Sequence, residues 1–98
     1  MCYAVAMKII RWNGEKNEWL IRNRAVCFEQ VFLILERDEA LDVVDHPNQR
    51  KYPGQKLVIV NIDDYAYLVP YTEDEEEIFL KTMIPSRKAT EKYLRGKK

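Results

Sequence analysis

Hydrophobic and polar positions change their period several times along this chain, and each change marks an element. Val5, Met7 and Ile9 share one parity and Lys8 and Ile10 the other, which predicts a short strand over Ala4–Trp12. Asn13-Gly14 then opens a stretch of helical composition, Glu15–Arg24, with Asn13 as N-cap and Glu15 in its first turn. Phe28, Val31, Phe32 and Leu35 fall at i, i+3, i+4 and i+7, one face of a second helix. Leu33 and Ile34 widen that face, so this helix is expected to be the most buried element. Leu41–Asp45 reads as a brief strand, although Ala40–Val44 could also extend the helix.

His46–Gln55 follows neither period and carries Pro47, Pro53 and Gly54, so an ordered loop is predicted. Two β-rich runs, Lys56–Ile62 and Tyr65–Tyr71, are joined by Asp63-Asp64, a hairpin turn that exploits the tolerance of Asp for positive φ. In the last strand, Ile78–Ile84, alternation places Ile78, Leu80, Thr82 and Ile84 on one face and Phe79, Lys81 and Met83 on the other. Pro85 cannot donate to a ladder and should end the pairing, and Ser86 can cap a helix of about ten residues carrying Arg87, Lys88, Lys92 and Arg95. Trp12 and Trp19 are assigned to the core between the first helix and the sheet, with stacking on RNA as the competing role. Cys27, three residues before Gln30, is a weak N-cap. The order predicts an α+β domain: an antiparallel β-sheet of three to five strands, two N-terminal helices packed on one face, and a short C-terminal helix.

A chain of 98 residues is expected to form one domain, with residues 1–6 accessory if Met7 is the natural start. Sixteen basic and sixteen acidic residues cancel, so total charge argues for neither nucleic acid nor membrane. Its distribution changes that picture. From Val60 to Leu80 there are seven acids and no Lys or Arg; from Lys81 to Lys98 seven bases stand against Glu91 alone, a local field able to attract phosphate. Cys2 and Cys27 make no disulfide framework and no metal motif, which predicts a reduced, cytoplasmic setting without metal or cofactor. The apolar runs fall far below the roughly 18–20 residues that span a bilayer, and Met1–Met7 lacks the basic leader and cleavage site of a signal peptide.

Arg87 and Lys88 at a helix start suit phosphate, since backbone N–H groups and side-chain cations would act on one anion. The alternative is a solvated basic tail. For metal-free RNA cleavage, Arg87 with Lys88 or Lys81 would take the phosphorane charge, because a guanidinium offers paired donors to phosphate oxygens. His46 is the only imidazole and so the candidate for proton transfer near neutrality. Arg50, Lys51, Tyr52, Lys88 and Tyr93 are candidates for holding or stacking the substrate, with packing as the competing role of the two tyrosines. The acids Glu73–Glu77 form either a solvated turn that blocks edge-to-edge association or a docking surface for a basic partner.

Trp12-Asn-Gly-Glu-Lys16, Phe28-Glu-Gln-Val31, His46 and Ser86-Arg-Lys-Ala-Thr-Glu91, in that order over residues 7–94, resemble the BrnT family of bacterial type II toxins. The resemblance implies a RelE-like fold and an RNA-cleaving toxin that inhibits translation. It also implies neutralisation by a cognate antitoxin with a DNA-binding domain, within a higher-order toxin–antitoxin complex. Arg87 falls on the family's basic position, followed by Lys88, Ala89 and Thr90. The family's arginines near the last hairpin and along the final strand are replaced here by Glu73–Glu77, Leu80 and Thr82. A second reading keeps the fold without catalysis, as an interaction module that binds an antitoxin-like partner.

Overall fold

The computed structural model describes residues 8–95. The start of the predicted first strand, residues 4–7, lies outside them, and β1 spans Ile9–Trp12. Asn13 caps α1 (Gly14–Arg24), its Oδ1 accepting from the Lys16 backbone N–H at 2.9 Å. Helix α2 spans Phe28–Glu36, and Leu41–Asp45 resolves in favour of a strand, β2 (Asp42–Asp45). Then come β3 (Lys56–Ile62), β4 (Tyr65–Glu73), β5 (Glu77–Leu80), β6 (Ile84–Pro85) and α3 (Arg87–Thr90), which continues as a π-helical turn over Glu91–Arg95. Asp63 and Asp64 both take positive φ, 54° and 66°, the geometry a two-residue hairpin turn needs.

The sheet order is β1-β5-β4-β3-β2, with β6 also on β4. It departs from the predicted antiparallel sheet of three to five strands in number and in direction: the described residues form six strands, and β1 runs parallel to β5, Ile9 beside Glu77 and Trp12 beside Leu80. Alternation reveals a strand but not its partner, and the two helices between β1 and β2 carry the chain from one sheet edge to the other.

Both faces of the sheet are covered. On one, Leu20, Phe28, Val31 and Leu35 from the helices pack with Val58, Val60, Ile62, Val69, Tyr71, Ile78 and Leu80. On the other, Ile59, Ala66 and Leu68 meet Ala89, Tyr93 and Leu94 of the C-terminal helix. Leu57, Val58, Ile59 and Val60 are therefore all buried, the unbroken apolar run of a strand covered on both sides. Asn17 joins the two helices: its Oδ1 accepts from the Phe28 N–H, 2.8 Å, and its Nδ2 donates to Glu29 Oε1, 3.0 Å.

The predicted strand Ile78–Ile84 is broken. Tyr71 pairs with Leu80 and Leu68 with Ile84, so two residues of β4 face three of the opposing chain. One extra residue in one strand is a β-bulge, and it inverts the parity beyond it. Met83, assigned to the face opposite Ile78 and Leu80, is fully buried with them, whereas Ile84 is 41% exposed.

The C-terminal helix is tied to β2 by Tyr93, whose hydroxyl donates to Asp42 Oδ2 at 2.6 Å while Asp42 Oδ1 accepts from the Val43 N–H at 2.8 Å. The Tyr93 hydroxyl first, then the Val43 N–H, hold the Asp42 carboxyl below its ordinary 3.8. The same bond raises the Tyr93 hydroxyl above 10.0. A depressed carboxyl stabilises the fold above its unfolded value, and that part is lost as pH falls through the folded value. A raised hydroxyl stabilises below about 10 and is lost as pH rises through its folded value. Tyr93→Phe is expected to cost about 0.5–1 kcal/mol between these limits, since solvent screens the pair, and to flatten urea stability against pH below 4. An unchanged acid limb would remove Asp42 from this role.

Candidate nucleic-acid interface

The bulge and the start of α3 lie on one edge of the sheet. Ser86 is pinned on both sides: its N–H donates to the Ala66 carbonyl, 3.0 Å, and its Oγ accepts from the Ala89 N–H, 3.0 Å. Thr90, 2% exposed, donates its hydroxyl to the Ser86 carbonyl, 2.7 Å, and accepts from the Ala66 N–H, 2.8 Å. The first turn of α3 is thus bolted to β4, and Arg87 and Lys88 project from it into solvent. Among the described residues, neither side chain has a hydrogen-bond or ion-pair partner. A charged group on a fixed backbone with no internal partner is available to an external anion.

Arg24 reaches the same edge from the end of α1. Its Nη1 donates to the Met83 carbonyl in the bulge, which would otherwise lack a ladder partner. Arg87 is four positions on from Met83, at most about 14 Å of extended chain. Arg24 also lies over the Trp19 ring, 4.9 Å from its centroid, with Lys16 Nζ at 4.3 Å. Trp19 is 37% exposed, which overturns its assignment to the core; Trp12 does pack there, its ring 5.7 Å from Phe28. Trp19, Leu20 and Ile21 are consecutive in a helix, so they point about 100° apart and one of them faces inward. Leu20 takes that place, one turn from buried Asn17. Sequence reading set RNA stacking by Trp19 below a core role and did not single out Arg24; the available signal was the i, i+3 spacing of Lys16 and Trp19 on α1.

The other candidates are elsewhere. His46 begins a loop closed on itself: its N–H donates to the Gln55 carbonyl, 3.0 Å, and its Nδ1 accepts from the Asn48 N–H, 3.0 Å. Its ring lies 4.5 Å from that of Tyr52, over which Lys51 Nζ sits at 5.4 Å. Arg50 is exposed on the same loop. The loop joins β2 to β3 beside Lys56, which pairs with Tyr71, whereas Ser86 bonds Ala66 at the far end of β4. At about 3.3 Å per residue, His46 and Arg87 are about 20 Å apart along the strands. Arg87 and Lys88 stand together; His46, Arg50, Lys51 and Tyr52 form a separate group. Lys81 occupies the bulge, its Nζ 5.1 Å from the Phe79 ring centroid, and Tyr93 is held by Asp42.

The acidic turn is internally organised. Lys8 Nζ meets Glu73 Oε2 at 2.6 Å and donates to the Asp74 carbonyl at 2.7 Å, while Asp74 Oδ1 accepts from the Glu76 and Glu77 N–H groups. Those two backbone bonds hold the Asp74 carboxyl below its ordinary value. A concavity of about 330 Å³ lined by Lys8, Gly54, Lys56, Tyr71, Glu73, Asp74 and Glu75 lies at this end, away from Arg87. No helix of the described residues is long and apolar enough to cross a membrane. Comparison of the chain with protein-family models, with curated proteins and with solved structures finds no match.

Proposed function

We propose that this chain is the toxin component of a cytoplasmic type II toxin–antitoxin pair and acts on RNA at the edge bearing Arg24, Arg87 and Lys88, as a metal-independent endoribonuclease. The observation that carries this reading is Arg87: exposed, without an internal partner among the described residues, and fixed to the sheet through Ser86 and Thr90. The resemblance of Ser86-Arg-Lys-Ala-Thr-Glu91 to the BrnT family supplies the toxin context and the antitoxin with a DNA-binding domain as partner.

RNA carries its own nucleophile. The 2′-oxygen attacks the adjacent phosphorus and yields its proton to water, and the 5′-oxygen leaves with a proton from water, giving a cyclic phosphate and a 5′-hydroxyl. The protein's part is to align the strand and to stabilise the phosphorane, for which Arg87 is the donor and Lys88 an added positive charge. His46, about 20 Å away along the strands, is given no part in this step. The test is cleavage of single-stranded RNA in the presence of a chelator. Wild-type protein and His46→Ala are expected to cut alike, and Arg87→Ala to cut at least roughly tenfold more slowly. Equal cutting by Arg87→Ala, or intact RNA with the wild type, would reject the reading.

The separation of His46 from Arg87 favours a second reading, an interaction module that binds an antitoxin-like partner without cleaving RNA. That reading expects intact RNA together with partner binding that survives Arg87→Ala.

A further inference from the structure

Trp19 is a large aromatic side chain that the fold covers only in part. Helix α1 turns Asn17 and Leu20 inward and leaves Trp19 37% exposed, in a protein whose other tryptophan packs against Phe28. Two cations are stationed over its ring, Lys16 Nζ at 4.3 Å and the Arg24 guanidinium at 4.9 Å from the centroid. Arg24 is itself anchored: one of its five N–H donors is spent on the Met83 carbonyl, beside the start of α3, which leaves the others for an incoming acceptor. A partly exposed indole, cations over its ring and a second guanidinium four positions beyond the Met83 carbonyl that Arg24 holds are the parts of a site for unpaired nucleic acid.

We infer that Trp19 is the stacking platform of a track for single-stranded RNA that runs from α1 across Arg24 to Arg87. This rests on the proposed action on RNA and adds the substrate class: unpaired strands, not duplex. The reason is geometric. A base offers its π-face only when it is unpaired and splayed from its neighbours, whereas an A-form helix presents phosphates and 2′-hydroxyls. Lys16, on a flexible stem in the first turn of α1, moves from the indole to a phosphate and the base takes its place. Arg24 stays, held by Met83, and pairs with the next phosphate toward Arg87.

The probes are a short 2′-O-methylated oligouridine, which lacks the nucleophile and so cannot be cut, and a blunt 2′-O-methylated RNA duplex of similar length. In full-length Trp12→Phe protein, Trp19 is the sole indole, and its fluorescence is expected to be quenched by the single strand and not by the duplex. Trp19→Ala is expected to weaken single-strand binding roughly tenfold and to leave duplex binding unchanged. Trp19→Leu, a good helix former, is expected to reproduce that loss with an unaltered circular dichroism spectrum. Unaltered single-strand binding by both variants, or quenching by neither probe, overturns the track. If Arg87→Ala then still weakens binding, the action on RNA stands without Trp19. Failure of the wild type to bind either probe at low salt overturns both.

Discussion

Met83→Ala lowers the unfolding free energy by about 2–5 kcal/mol, the cost of a cavity in a packed interior, whereas the neighbouring Ile84→Ala costs below about 1 kcal/mol. Strand alternation alone orders the two the other way, because Ile84 shares the parity of Ile78 and Leu80. The bulge reverses them: Met83 is fully buried in the cluster of Leu20, Phe28, Ile78 and Leu80, and Ile84 is 41% exposed on an edge strand. Urea denaturation of the two variants measures the difference directly, since the slope reports exposed surface and the midpoint reports stability. Equal losses would mean that Leu80 and Ile84 share one register and that the bulge is absent. The reversed order would restore the simple alternation.

That bulge marks where sequence reading ends in this protein. The second helix was legible because Phe28, Val31, Phe32 and Leu35 carry a local period; Phe28, Val31 and Leu35 are buried and Phe32 half-buried, whereas Leu33, read as widening that face, is 50% exposed. The hairpin was legible because Asp63-Asp64 can adopt positive φ where most residues cannot, and both do. Caps at Asn13 and Ser86 are equally local, each side chain reaching a backbone N–H three residues on. What depends on distant partners was not legible. Alternation in Ile9–Trp12 says nothing of β5 as its neighbour or of a parallel direction. One inserted residue leaves the composition of Ile78–Ile84 unchanged while inverting the faces of its second half. The candidate site shows the same division. Arg87 and Lys88 follow a cap and stand together, but nothing local to His46 discloses that β3 and β4 set it at the other end of the sheet. Trp19 was read as core because indoles usually are, and neighbouring Leu20, fully buried, holds the inward position.

Thr90→Val is expected to destabilise the protein by about 1–3 kcal/mol, and Thr90→Ser by less, although valine is the closer match in shape. The hydroxyl decides the order. Thr90 Oγ1 accepts from the Ala66 N–H and donates to the Ser86 carbonyl, in a side chain only 2% exposed. Valine fills the same space but leaves the Ala66 N–H facing a methyl group, so a buried donor loses its acceptor and the desolvation cost stands uncompensated. Serine keeps both bonds and gives up one methyl. The Ser86 carbonyl retains the Thr90 backbone N–H at 3.0 Å in either variant, so the loss falls on the contact between the helix start and β4 and not on the helix itself. The same contact sets the position of Arg87, three residues earlier in that turn. RNA cleavage by Thr90→Val, measured where the variant is still folded, should therefore fall along with stability, because a displacement of about 1 Å at a group that stabilises a transition state can cost up to roughly a hundredfold. Full activity with lost stability would detach Arg87 from the chemistry. Equal stability of the valine and serine variants would show that the Ala66 N–H finds another acceptor and that the hydroxyl does not fix the helix start.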